Sequence, residues 1–228
     1  MVNTPLFTAT LFNRHVMVKS LIEAGVDINK VEDGGATPLF IAAQKEYGSV
    51  MQTLIKAGAD INMADNIGRT PLYIAAMKGN VEVVRILIEA GVDIDTTDNI
   101  GRTPLHISIL NGHITVPKLL IKAGADVNKA NNFGAVPLYG AVYYGYEPIV
   151  QMLLEAGADV NKPRDDGRTP LWIATENDHK SVMQMLINVG AGISNLSEPK
   201  SHHIFNHVVH HDQSSTRKLH LLPHESRG

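Results

Sequence analysis

The sequence predicts a mainly α solenoid of six short helix-pair units, followed by an irregular C-terminal tail. Three observations carry this reading. The tripeptide TPL begins at Thr4, Thr37, Thr70, Thr103 and Thr169, VPL begins at Val136, and every step is 33 residues. AGVDIN (24–29), AGADIN (57–62), AGVDID (90–95), AGADVN (123–128) and AGADVN (156–161) keep the same step, before decaying to VGAGIS (189–194). Between the markers, apolar residues fall at helical spacing, as with Val84, Leu87 and Ile88 in VEVVRILIEA (81–90). Two unrelated markers in one unbroken period define a repeat array.

The elements follow in order within each unit. Thr37 is placed to cap a helix with its hydroxyl, and Pro38 at the first helical position forfeits no hydrogen bond. Leu39, Ile41 and Ala42 give that helix a core face, with small alanines allowing close approach. Gly79, Gly112 and Gly145 suit the left-handed residue that ends such a helix. The second, amphipathic helix follows and stops at a glycine such as Gly91; the next ten or so residues, to about Gly101, turn back through turn-favouring residues. A unit of this size cannot bury its apolar face alone, so units must stack. The units run at about 1–31, 32–64, 65–97, 98–130, 131–163 and 164–195, and the tail occupies 196–228.

The pattern resembles the ankyrin repeat, whose signature combines this period with T-P-L-H-x-A. Here that motif is fullest at Thr103, Pro104, Leu105 and His106, with Ser108 in place of its alanine. A TPR array would repeat every ~34 residues and carries no TPL signature. The resemblance covers about 1–195 and implies L-shaped β-turn–helix–helix units stacked into a curved solenoid with a concave face. It also implies a non-enzymatic protein–protein interaction scaffold, with contacts from the turn tips and the exposed face of the first helix.

Composition narrows the function classes. A net charge of −3 gives no general pull toward nucleic acid. With no cysteine, thiolate sites and disulfides are excluded. No apolar run is long enough to cross a membrane, and MVNTPLFTATLFNRH lacks the pattern of a secretory leader. The expectation is a cytoplasmic or nuclear monomer with a protein partner, no nucleic acid, no membrane insertion and no cofactor. Neither glycine-rich phosphate loops nor HExxH or GxSxG motifs occur. Asp60, Asp93, Asp126 and Asp159 recur with the period and read as turn formers, so no catalytic residue is assigned. Asn29, Asn62, Asn128 and Asn161 read as residues that hold their own turns; the family resemblance adds asparaginyl hydroxylation as a second possibility, which Asp95 would not share.

The binding candidates come from positions that vary between units. Ile67, Ile100 and Phe133 share a turn-tip position, and Met77, Leu110 and Tyr143 share a first-helix position. Gly34 and Asp166, and Gln44 and Glu176, stand at those places in the flanking units, so the apolar ladders belong to units three to five. Tyr143 and Tyr144 lie in VPLYGAVYYGYEP (136–148), where Val136 replaces the capping threonine and Gly140 replaces the isoleucine of Ile41, Ile74, Ile107 and Ile173. Rules broken in one unit mark either a site or drift in a tolerant array. Phe7, Phe40, Tyr73, His106, Tyr139 and Trp172 form a further column, read as stacking support. Arg69, Arg102 and Arg168 share a turn position and would add rim charge to the surface, with local pairing to Asp65 and Asp98 the favoured role for the first two.

Two regions stay open. Unit one has no polar capping helix before it, so Leu11, Phe12, Val16 and Met17 are expected to face solvent, either because the chain is part of a larger channel, kinase or ligase adaptor or because this end docks. The tail is histidine-rich, and His203, His207 and His211 at i, i+4, i+8 are the metal candidates, against a reading as a disordered tail.

Overall fold

The computed structural model describes residues 4–192, and within them the chain is helical, with no strand. The first helices of the units are α1 (Pro5–Leu11), α3 (Pro38–Lys45), α5 (Pro71–Lys78), α7 (Pro104–Leu110), α9 (Pro137–Tyr143) and α11 (Pro170–Glu176). The second helices are α2 (His15–Glu23), α4 (Gly48–Lys56), α6 (Val81–Glu89), α8 (Thr115–Lys122), α10 (Glu147–Glu155) and α12 (Lys180–Asn188). The tail histidines His203, His207 and His211 lie outside the described residues.

Helix starts follow the sequence. Thr4, Thr37, Thr70, Thr103 and Thr169 each accept a hydrogen bond from the backbone N–H three residues on, at 3.0–3.3 Å. Val136 makes no such bond; the Tyr139 N–H falls back on the Val136 carbonyl at 3.0 Å. Gly79 ends α5 at φ +73°, and a Cβ there would fall 2.5 Å from the His113 ring of the next unit. Asn13, Glu46 and Asp178 adopt the same left-handed backbone at the equivalent position, so what sets Gly79 apart is the room it leaves for the His113 ring.

Packing between units is uneven across the two layers. At every step the first helices pack against each other more closely than the second helices do. Ala42, Ala43, Ala75, Ala76, Ala141 and Ala174, all fully buried, permit that approach. A stack tighter in one layer bends toward it, which sets the first helices on the inner side of the curve. The core runs without a break along the stack, through Leu6, Leu39, Leu72, Leu105, Leu138 and Leu171. At the first unit Phe12, Val16 and Met17 are exposed as expected, whereas Leu11 is half-buried against the core.

The aromatic column is buried except at Trp172, which is half-buried, and two of its members bond to the following unit. Tyr73 donates its hydroxyl to Asp98 Oδ2 at 2.8 Å. Burial, then this bond, raise the Tyr73 pKa well above the ordinary phenol range. His106 Nε2 lies 3.0 Å from the Ala135 carbonyl, which only accepts, so Nε2 carries the proton. Nδ1 is then free to accept from the Thr103 N–H at 3.2 Å. This closes the one reciprocal capping box among the described helices.

Two predictions follow from these contacts. Burial depresses the His106 pKa from 6.5 to about 4, so the unfolded chain takes up a proton that the folded chain refuses between those values. Stability is therefore full above pH 6.5 and falls as pH drops toward 4, by about 3 kcal/mol at most from this one group. Urea titrations across this range should show a flatter pH slope for His106→Phe than for the parent; equal slopes would mean that His106 titrates normally. In repeat five, a Cβ on Gly140 would meet Leu110 Cδ2 at 3.4 Å, an ordinary contact. Val136→Thr with Gly140→Ala should raise stability by about 1–2 kcal/mol, from a cap and a better helix former. Thermal unfolding checks this, and an unchanged or lower midpoint would contradict it.

Candidate protein-binding surface

The surface is built from the hairpin-like turns that precede each first helix and from the ends of those helices. Successive tips are joined by backbone bonds, Asn99 N–H to the Ile67 carbonyl and Asn132 N–H to the Ile100 carbonyl, both 3.0 Å. Side chains continue the join, with Asn99 Nδ2 donating to the Asn66 carbonyl at 3.2 Å and Asn132 Nδ2 to the Asn99 carbonyl at 3.1 Å. The tips are thereby held in register, and Ile67, Ile100 and Phe133 project from equivalent points. They are 52%, 39% and 52% exposed.

Arginines brace two of these tips from behind. Asp65 Oδ1 accepts the N–H groups of Ile67 and Arg69, while its Oδ2 meets the Arg69 side chain at 2.6 and 2.7 Å. Asp98 repeats the arrangement with Ile100 and Arg102, at 2.7 and 2.8 Å in the side-chain pair. Burial works against the Asp98 charge, but the bonds from Arg102 and Tyr73 outweigh it and hold its pKa below the usual range. Arg69 and Arg102 are thus committed to local pairing. Arg168 has no such aspartate.

The first-helix column behaves less uniformly. Tyr143 is 48% exposed, whereas Met77 and Leu110 are half-buried and pack on the core. Leu110 and Ile109 of the preceding unit are the side chains that face Gly140, at 3.4 and 3.8 Å from where a Cβ would stand. Tyr144, at 46% exposure, meets Tyr143 edge-on with ring centroids 5.0 Å apart. It also stacks on Tyr146, with centroids 5.4 Å apart and ring planes at 19°. Tyr146 was not singled out in the sequence. It stands where its neighbours place His113 and His179, and that shared position is the signal that identifies it.

The asparagines do something other than hold their own turns. The aspartate two residues earlier does that, Asp60 Oδ1 accepting the Asn62 N–H at 2.9 Å. Asn62 Oδ1 then accepts the Asp93 N–H of the following unit, also at 2.9 Å. Asn29, Asn128 and Asn161 make the same forward bond, to Asp60, Asp159 and Gly192. The result is a staple from unit to unit just ahead of the tips. Asp95 performs it with a carboxylate, accepting from Asp126 N–H at 3.1 and 3.2 Å.

Among the described residues, no group of three or more His, Cys, Asp or Glu is placed to hold a metal. No helix there is long and apolar enough to cross a membrane. What the surface offers is tips held in register, exposed rings and locally paired charges.

Capped helix pairs, forward staples and hairpin tips in register define a repeat-solenoid binding module. A family model described as "Ankyrin repeats (3 copies)" matches residues 2–65, 61–131 and 129–197, and the chain belongs to the ankyrin repeat family. It is similar to the ankyrin repeat domain of Bcl-3, whose crystal structure is described as that of a unique member of the IκB protein family. The two share 26% identity over 84% of this chain and 88% of the other, with a TM-score of 0.79. No curated protein matches. Solved structures that match number 614 chains, so the shape alone selects no partner.

The carboxylate in the staple yields a prediction. Burial raises the Asp95 pKa above its ordinary 3.8, so the folded chain binds that proton more tightly than the unfolded chain. Ionised Asp95 therefore detracts from stability at neutral pH, and the deficit vanishes as pH falls below 3.8. Asp95→Asn should raise the unfolding midpoint at pH 7 and lose that advantage near pH 3.5 (about the lower edge of the carboxylate range). A variant that is destabilised at pH 7 would show that Lys129 and the backbone more than offset the burial.

Proposed function

We propose that the chain is a non-enzymatic scaffold that presents its inner surface to a protein partner. Tyr143, Tyr144 and Phe133 serve as anchors, with Ile67, Ile100, Met77 and Leu110 around them. The observation that supports this reading is exposure at equivalent turn tips and beside them in sequence: Ile67, Ile100, Phe133, Tyr143 and Tyr144 are all 39–52% exposed. Grouped apolar exposure is favoured as an interaction site over scattered exposure, and tyrosine is a preferred anchor. The role as a protein-binding module is what ankyrin repeats generally supply. Binding works by rigid presentation, because tips joined by backbone bonds lose little freedom when a partner docks. The protein acts as a cytoplasmic or nuclear monomer, and its acidic balance argues against nucleic acid as the partner.

Tyr143→Ala with Tyr144→Ala tests the anchors. Against a partner captured by the intact chain, affinity should fall by at least about 2 kcal/mol, the hot-spot scale. Folding stability should change by less than about 1 kcal/mol, since both rings are half exposed. A variant that melts early yet binds as before when folded would make the two tyrosines packing residues and remove the proposed site.

A further inference from the structure

Aligned on the period, the tips read DNIGR (65–69), DNIGR (98–102), NNFGA (131–135) and RDDGR (164–168). In the first two, the arginine closes its Nε–Nη2 fork on a buried aspartate, at 2.6–2.8 Å. In the last, Arg164 takes the aspartate's place while Arg168 keeps the arginine's. Two guanidiniums stand where a closed ion pair stood.

Neither is satisfied as its counterparts are. Arg168 sits over the Trp172 ring, 4.5 Å from its centroid, and is half exposed. Arg164 sits over Tyr139 at 5.1 Å, reaches its hydroxyl only at 3.4 Å, and has a buried Nε with no partner among the described residues. The acids of the same tip do not close the forks. Asp166 Oδ2 stands 3.6 Å from Arg164 Nη2 and 3.8 Å from Arg168 Nε, beyond hydrogen-bond reach, while Asp166 Oδ1 accepts the Arg168 backbone N–H. Asp165 turns back against Gly134 of the preceding tip. A guanidinium held over an aromatic ring keeps its donor edge outward, the geometry in which arginine takes a carboxylate with two parallel bonds.

We infer that Arg168, seated on Trp172 and backed by Arg164, is a carboxylate receptor for an aspartate or glutamate side chain of a bound protein segment. This deepens the proposed surface and rests on it: the apolar tips end at Phe133, one tip before the receptor, so the segment carries an acidic residue at one end of its apolar residues. Its chemistry stands apart from the tyrosines, and so does its test.

Trp172 is the sole tryptophan, so its emission reports on Arg168 directly. The full chain is titrated with a hexaglutamate peptide, with hexaglutamine and inorganic phosphate as parallel arms. Hexaglutamate should change Trp172 emission saturably and hexaglutamine should not. Arg168→Gln should weaken the response at least about tenfold, and Arg168→Lys, which keeps charge but loses the fork, should weaken it nearly as much. Arg85→Gln, on the exposed side of α6, should leave it unchanged. Equal responses from parent and Arg168→Gln, a response to phosphate but not to hexaglutamate, or no saturable response would overturn the receptor. The tyrosine site would stand or fall separately.

Discussion

Contact between neighbouring units is the constraint on which the rest of this structure depends. A pair of helices of seven to nine residues has one apolar face and nothing of its own to cover it. Covering comes from the next pair, so the core is a continuous seam, and the leucine after each TPL proline lies on it. The alanines of the first helices bring one layer closer than the other, and the curvature of the inner surface follows. The proposed binding surface inherits this: the spacing of its tips is fixed by the packing behind them.

Polar bonds set the register that hydrophobic contact alone leaves loose. Three series run along the stack. The tips share backbone bonds, the buried rings reach forward from Tyr73 and His106, and Asn29, Asn62, Asp95, Asn128 and Asn161 each accept a backbone N–H of the following unit. Each such bond contributes modestly, on the order of 1 kcal/mol. Their repetition is what prevents one unit from slipping against another. Where the series changes character, at repeats five and six, the surface changes too: the cap is lost at Val136, the rings of Tyr143, Tyr144 and Tyr146 come together, and Arg164 replaces an acid.

The architecture was legible because the repeat is a local code. TPL marks a capped helix start, a glycine marks its end, and the 33-residue step places every copy, so helix positions and the buried column could be read directly. The ion pairs of Arg69 and Arg102 were legible for the same reason, being four residues from their aspartates. What lay between units was not. Asn62 belongs by sequence to its own turn, and only the stacked geometry shows its oxygen serving Asp93. Likewise, alignment put Met77 and Leu110 in one ladder with Tyr143, but burial separates them, since both pack on the core while Tyr143 stays exposed. The substitution at Arg164 was visible as a break in the aspartate column, yet its meaning depends on Tyr139 and Trp172 lying beneath the guanidiniums.

The central claim is that a unit's stability resides in its junctions rather than in itself. Amide hydrogen exchange on a Leu105→Ala chain tests it most directly, because Leu105 is fully buried in repeat four. The account predicts that protection falls in repeats three and five along with repeat four, with the loss fading toward the ends of the stack. Loss of protection confined to residues 98–130, with the neighbours unchanged, would contradict it.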